Sequence, residues 1–273
     1  MIIDGKSIRD KYLNKIKEEA TGKDITLAVI QVGNDEASTV YVKQKEKMCN
    51  NIGANFKHYT FASDAKEEDI ISLINKLNND NTTGIIVQLP LPKGFNKDRI
   101  INTIDESKDV DGLTNKNIIK LVKGETSLIP CTALGVMKIL EEINADIDGK
   151  NAVIIGRSDL VGKPLYNLLL NKNATVTLCH SHTKNLKEMC QIADILIGAT
   201  NQKHIITKDM VKKGSILIDV GIIRENGKLY GNADFDNIKD ITSYITPVPG
   251  GVGPLTIAML ANNLLEAYKL QNR

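Results

Sequence analysis

Lys45 stands where a helix should show an apolar side chain. The stretch from Ser38 to Gly53 reads as one helix, with Ser38 as its cap and Gly53 at its end. Spacing of three to four puts Tyr41, Lys45, Met48 or Cys49, and Ile52 on one face. An ammonium drawn into a partly dry site is disfavoured relative to the free amine, so a lysine placed there can exchange protons near neutrality. The same position also suits a lysine whose stem lies on the stripe while its head reaches water. A second polar group, Gln88, follows the apolar run Ile85, Ile86, Val87 near the carboxyl end of a buried strand. Ligands of open α/β sheets bind at that end, although a hydrogen bond to a neighbouring loop would satisfy the amide equally well. Asp109 and Asp111, in Asp109-Val110-Asp111-Gly112, put two carboxylates on a turn, either for a ligand or for the turn itself.

The second half carries a phosphate-binding pattern. After the strand Asn151 to Ile155 come Gly156, Arg157 and Ser158, then Gly162, Pro164 and a helical run from Leu165 to Leu170. Glycine at the end of a first strand lets the backbone approach a pyrophosphate, and the helix start offers free N–H groups to its charge. The pattern is not a full GxGxxG, and a tight ligand-free turn would look similar. Its setting between two strand patterns favours a dinucleotide. An NAD site would place a carboxylate about 20 residues on, at the end of the second strand. Here that strand ends Cys179-His180-Ser181-His182-Thr183. A hydroxyl, two imidazoles and Arg157 suit a 2′-phosphate, so the expected cofactor is NADP. His180 and His182 could instead form a surface pair or half a metal site; with no third ligand nearby, no metal is expected.

Placing these groups requires alternating strands and helices. β-Branched runs at Thr26 to Val32, Phe56 to Phe61, Gly84 to Leu89, Asn151 to Ile155, Thr175 to Cys179, Asp194 to Gly198 and Ser215 to Val220 alternate with helical patterns. Continuously apolar runs mark strands covered on both faces, so the fold class is α/β with mostly parallel sheets. A helix is expected from Thr132 to Asn144 with Thr132 as cap, and a last helix from Leu255 to Leu270 follows the Gly/Pro-rich stretch Pro247 to Pro254. The boundary falls near Pro130: domain 1–129 and a Rossmann-like domain 130–273, with helix 255–270 free to join either.

At 273 residues, 42% hydrophobic and 25% charged, the chain is long enough for two such domains and is not disordered by composition. Its formal charge of +2 has no basic stripe, and aromatic residues are only 4%, so nucleic acid is not an expected partner. No leader pattern and no apolar run of about 18 residues is present, which suggests a cytoplasmic protein without a membrane partner. Cys49, Cys131, Cys179 and Cys190 lack CxxC spacing and read as reduced buried thiols.

In order along the chain stand Tyr41-Val42 with Lys45, Val87 to Pro92, Lys108 to Gly112, Pro130-Cys131-Thr132, Gly156-Arg157-Ser158 through Val161-Gly162 and Pro164, and Pro247 to Pro254. Over almost its whole length the chain resembles the bifunctional methylenetetrahydrofolate dehydrogenase/methenyltetrahydrofolate cyclohydrolase family. The resemblance implies two α/β domains flanking a cleft, a homodimer, and oxidation of 5,10-methylenetetrahydrofolate by NADP followed by hydrolysis to 10-formyltetrahydrofolate. It implies Lys45 as catalytic lysine, Gln88 as its amide partner, Tyr41 as a ring near the folate and Asp111 as the carboxylate holding the pterin. Arg157, Ser158, Ser181 and Ile222, with the Gly156 turn, match NADP contacts. Ala133 and Leu255 stand where the family commonly has proline and methionine. Two other functions fit less of the pattern: an NADP dehydrogenase acting on a small amino or hydroxy acid, and a folate- or nucleotide-binding protein without turnover.

Overall fold

The computed structural model describes residues 1–125 and 128–272, and of Glu36 and Ala37 the backbone alone. Contacts divide the chain into two compact units. The first comprises Lys11–Cys131 and Ile257–Arg273; the second comprises Met1–Asp10 and Thr132–Thr256.

Helix α1 (Gly5–Ala20) opens the chain and contributes residues to both units. The first unit continues with β1 (Thr26–Val32), α2 (Glu36–Ile52), β2 (Asn55–Phe61), α3 (Glu67–Asn78), β3 (Gly84–Val87), α4 (Lys97–Ile101) and α5 (Asn115–Lys123). Its three strands form a parallel sheet in the order β2-β1-β3, and a parallel bridge from Ile85 to Asp109 extends the β3 side. Every residue of β1 and of β3 is buried, as their apolar runs require. Helix α3 shows how sequence builds this layer. Three acidic residues occupy its first turn, and Ile70, Ile74 and Leu77 share the face that is buried against Ile30, Val87 and Ile100.

Two local expectations need correction here. Helix α2 is capped by Asp35, not Ser38: the Asp35 carboxylate accepts the Ser38 N–H at 2.7 Å, so the helix starts two residues before Ser38. A carboxylate is as good a cap as a hydroxyl and adds a charge favourable to the helix start. Gly53 does close the helix, in the left-handed conformation at φ 77°. Strand β3 ends at Val87 rather than Leu89. Gln88 still donates its backbone N–H to Ile30 O at 2.8 Å, but Pro90 has no N–H with which to continue the ladder.

The second unit starts with α6 (Cys131–Glu142), whose first residue belongs to the first unit. This helix starts at Cys131, so Thr132 lies inside its first turn rather than capping it; its hydroxyl meets that of Thr256 at 3.3 Å. Then come β4 (Asn151–Ile155), α7 (Gly162–Leu170), β5 (Thr175–Cys179), α8 (Leu186–Gln191), β6 (Ile195–Gly198), a 3₁₀ turn at Lys208–Met210, β7 (Ile216–Asp219), β8 (Ile223–Glu225), β9 (Lys228–Tyr230), α9 (Phe235–Ile238), β10 (Tyr244–Ile245) and α10 (Val252–Gln271). Five strands form a wholly parallel sheet in the order β10-β7-β6-β4-β5, while β8 and β9 make a separate antiparallel hairpin. The hairpin and β10 are too short to have shown a pattern. The chain leaves β4 for β5 on one side and later returns to β6 on the other, which makes the ends of β4 and β6 a topological switch point. Helix α10 begins at Val252, ahead of Leu255, and from Ile257 onward it belongs to the first unit.

Candidate active site and cofactor site

In the first unit, α2 carries Lys45 to the end of β3. Its Nζ donates a 2.8 Å hydrogen bond to Gln88 Oε1, and both side chains are only 8% exposed. The other end of the amide is tied as well, since Gln88 Nε2 donates to Leu89 O at 2.7 Å. The amide therefore cannot turn over without losing both bonds, and its oxygen stays facing the ammonium. The lysine is not the solvent-reaching kind that the helix alone allowed. Tyr41 lies one turn earlier on α2 and is 47% exposed, leaving its ring available.

The two carboxylates of the 109–112 turn have different surroundings. Asp109 is 1% exposed and accepts the N–H groups of Leu113 and Thr114 and the side-chain amide of Asn117, at 3.2, 2.8 and 2.9 Å. It holds the turn. Asp111 is half-buried and accepts no hydrogen bond from the described residues. Burial raises its pKa above the ordinary carboxylate value; the Lys45 charge opposes this and that of Asp109 adds to it. Such a carboxyl, near a cation yet short of donors, is built to receive donors from elsewhere.

Behind Asp111 lie two residues that sequence reasoning gave no site role. Cys131 is buried, its thiol pKa driven well up by burial and then by the Asp111 charge, so it is an inert neighbour rather than a nucleophile. Asn263, on α10, donates to Val110 O at 2.9 Å and to Ile129 O at 2.7 Å. Asparagine in the middle of a helix is unremarkable in sequence, so only the fold could reveal this. All four cysteines are free and buried, in line with the reading of their spacing.

The second unit gathers the other group. Gly156 ends β4 with φ 125°, and a Cβ there would overlap the carbonyl of Ala199 at the end of β6. A side chain on Gly162 would likewise strike the Gly156 carbonyl, so both glycines are required by close backbone approach. Gly156 N–H donates to Cys179 O at 2.9 Å, which sets the ends of β4 and β5 side by side and brings the Arg157 and Ser181 segments together. Arg157, Ser158 and Ser181 are exposed, and Arg157 has no ion pair among the described residues. The Ser158 hydroxyl accepts Val161 N–H at 3.2 Å, ordering the loop. His180 Nδ1 accepts the His182 N–H at 3.2 Å, and the two rings stand edge to face at 6.0 Å. No cluster of metal-ligating residues occurs among the described residues. Ile222 is 53% exposed just past β7.

What shapes this end of the sheet was also missed in sequence. Asp219 is 3% exposed, and its carboxylate accepts backbone N–H groups of Gly221, Asn232 and Ala233 at 2.9, 2.9 and 2.7 Å. Burial raises its pKa and those three bonds pull it back. The Asn232 amide in turn grips Thr200 and Gln202 at 2.7 to 3.0 Å. These two residues fix the loops after β6 and β7, beside the switch point.

A five-stranded parallel sheet with paired glycines at its switch point, joined in one chain to a unit holding a buried lysine, defines a dinucleotide-dependent α/β enzyme. Arg157 after β4 and Ser181 after β5, with no carboxylate among residues 179–183, fit a 2′-phosphorylated dinucleotide. Residues 3–111 match the model of the tetrahydrofolate dehydrogenase/cyclohydrolase catalytic domain, and residues 130–272 that of the family's NAD(P)-binding domain. The chain belongs to the tetrahydrofolate dehydrogenase/cyclohydrolase family. It is 49% identical over 275 residues to the bifunctional protein FolD of Agathobacter rectalis, covering 98% of this chain and 99% of the relative. Among solved structures it is similar to the bifunctional enzyme FolD, a methylenetetrahydrofolate dehydrogenase/cyclohydrolase, from Campylobacter jejuni: TM-score 0.97, 43% identity, 99% of both chains covered. It is also similar to the Trypanosoma brucei N5,N10-methylenetetrahydrofolate dehydrogenase-cyclohydrolase complexed with NADP cofactor and inhibitor: TM-score 0.94, 32% identity, 100% of this chain and 98% of that one covered.

Proposed function

We propose that this chain is a bifunctional enzyme that oxidises 5,10-methylenetetrahydrofolate to the methenyl form with NADP and hydrolyses that product to 10-formyltetrahydrofolate. The observation that carries the reading is the Lys45 ammonium, 8% exposed and held at 2.8 Å by an amide that is itself fixed. NADP, when bound, accepts the hydride. Arg157 and Ser181 would hold its 2′-phosphate, Gly156 and Ser158 its phosphates, and Ile222 would line its site.

The two steps ask different things of the protein. Hydride leaves a carbon whose developing positive charge is shared by two nitrogens, so the first step depends on alignment more than on a base. Hydrolysis requires water to attack the methenyl carbon, a proton to leave that water and one C–N bond to break, with a proton delivered to the departing nitrogen. Lys45 handles these protons, and Gln88 keeps its amine aimed while it does so. Asp111 accepts two parallel N–H bonds from the aminopyrimidinone edge of the pterin, and Tyr41 offers a face to the ring system. A carboxylate without donors among the described residues suits that task.

We assign substrate binding to the first unit and NADP to the second. The protein is read as a cytoplasmic homodimer without nucleic-acid or membrane partners. Family resemblance and near-balanced charge support this reading; among the described residues no helix is long and apolar enough to cross a membrane. One assay following NADPH formation and methenyl decay together tests the function. Turnover of a small amino or hydroxy acid with no NADPH from methylenetetrahydrofolate would replace it with the simpler dehydrogenase, and ligand binding without any absorbance change would replace it with a binding protein.

A further inference from the structure

Asn263 is 2% exposed, and its amide nitrogen ties together two segments far apart in sequence. It donates to Val110 O at 2.9 Å, the carbonyl of the residue immediately before Asp111, and to Ile129 O at 2.7 Å. With two N–H groups and two carbonyls, its donors are used up. Cys131 Sγ donates to the same Val110 O at 3.5 Å and lies 3.6 Å from the Asn263 nitrogen. The segments already cross closely: Gly112 has φ 68°, and a Cβ on it would come within 2.6 to 2.8 Å of the Leu128–Pro130 backbone. On its other side the turn is held by Asp109, through Leu113, Thr114 and Asn117. Asp111, by contrast, has no donor among the described residues to orient it. Its direction is therefore inherited from the backbone on which Asn263 pulls.

We propose that Asn263 is a positioning residue for folate, acting through Val110 to aim the Asp111 carboxylate. This rests on the proposed role of Asp111 in binding the pterin. A buried carbonyl left without its donor relaxes toward another partner, and a displacement near 1 Å at a binding group is enough to cost one or two orders of magnitude.

The experiment is a double-mutant cycle in the full-length enzyme. Asn263→Ala removes both bonds; Asn263→Ser is the milder form, retaining a hydroxyl donor, should the alanine variant fold poorly. Each is combined with Asp111→Asn, and the Michaelis constants for methylenetetrahydrofolate and NADP are measured separately. The expected result is a folate constant raised about tenfold by either Asn263 change, an NADP constant within about twofold, and an increment below about twofold once Asp111 is already Asn. A full tenfold increment in the Asp111→Asn background overturns the inference while leaving the Asp111 role standing. So does a parallel rise of both constants that follows thermal stability. Should Asp111→Asn itself leave the folate constant unchanged, the pterin role of Asp111 fails first and the inference falls with it.

Discussion

At the scale of single residues, Lys45 and Asp111 make claims that can be separated. Lys45→Met keeps the length and apolar stem of the side chain on α2 and deletes the ammonium bonded to Gln88 Oε1. Cyclohydrolase activity should fall by about 10² or more, the usual worth of a positioned proton carrier. NADPH formation should stay within about tenfold of the parent, because alignment survives. Equal loss of both in a folded variant would reject the division of labour. For Asp111, burial raises the folded-state pKa above the unfolded value. The folded chain thus binds that proton more tightly. The resulting stabilisation is complete below about pH 4, where the unfolded carboxyl also holds its proton, and is lost as pH rises through the raised value. Asp111→Asn should therefore gain thermal stability over the parent at pH 7 and lose that advantage at pH 4, while folate binding weakens. A melting-temperature difference independent of pH would contradict the burial of this charge.

At the scale of elements, the cofactor end of the second sheet depends on two strand ends lying side by side. Gly156 and Cys179 are hydrogen-bonded, and Arg157 and Ser181 follow within two residues. Arg157→Ala should weaken NADPH about tenfold and NADH less than twofold in fluorescence titrations, since only one carries the 2′-phosphate; an unchanged ratio would remove Arg157 from that role. Much of this was legible in the sequence. Strands β1 and β4 have the boundaries their apolar runs suggest, because a strand covered on both faces cannot hide its composition. The closeness of Lys45 to Gln88 was legible in part, since one interrupts a stripe and the other ends a buried strand. Residue type and spacing left open the choice between Asp109 and Asp111, which only the family resemblance made and which turns on where Leu113, Thr114 and Asn117 place their N–H groups. Not legible were Asp219, Asn232 and Asn263, whose partners are mostly backbone groups many residues away. A polar side chain spent on distant backbone leaves no local pattern.

At the scale of the whole molecule, the first unit is not a continuous piece of chain. The family's catalytic-domain match ends at residue 111, yet the unit includes Ile257–Arg273. That segment supplies Met259, Leu260, Leu264 and Leu265, each no more than 2% exposed, with Leu264 Cδ1 only 2.7 Å from where a Cβ on Gly84 of β3 would be. At about 1.5 to 3 kcal/mol for each fully buried side chain of this size, the four contribute about 6 to 12 kcal/mol. This is comparable to the entire net stability of an ordinary domain, about 5 to 15 kcal/mol. Asn263 adds its bonds to the turn beside Asp111, and Gln271 donates to Thr83 O and Ser107 O at 2.8 and 2.9 Å. A fragment ending at Cys131 should accordingly show no cooperative thermal transition, although it contains Lys45, Gln88, Tyr41 and Asp111. A synthetic peptide spanning residues 252–272 should restore the transition when added in excess, with a midpoint that rises with peptide concentration as mass action requires. Cooperative melting of the fragment by itself, unaffected by the peptide, would mean that the C-terminal helix covers the first unit without holding it together.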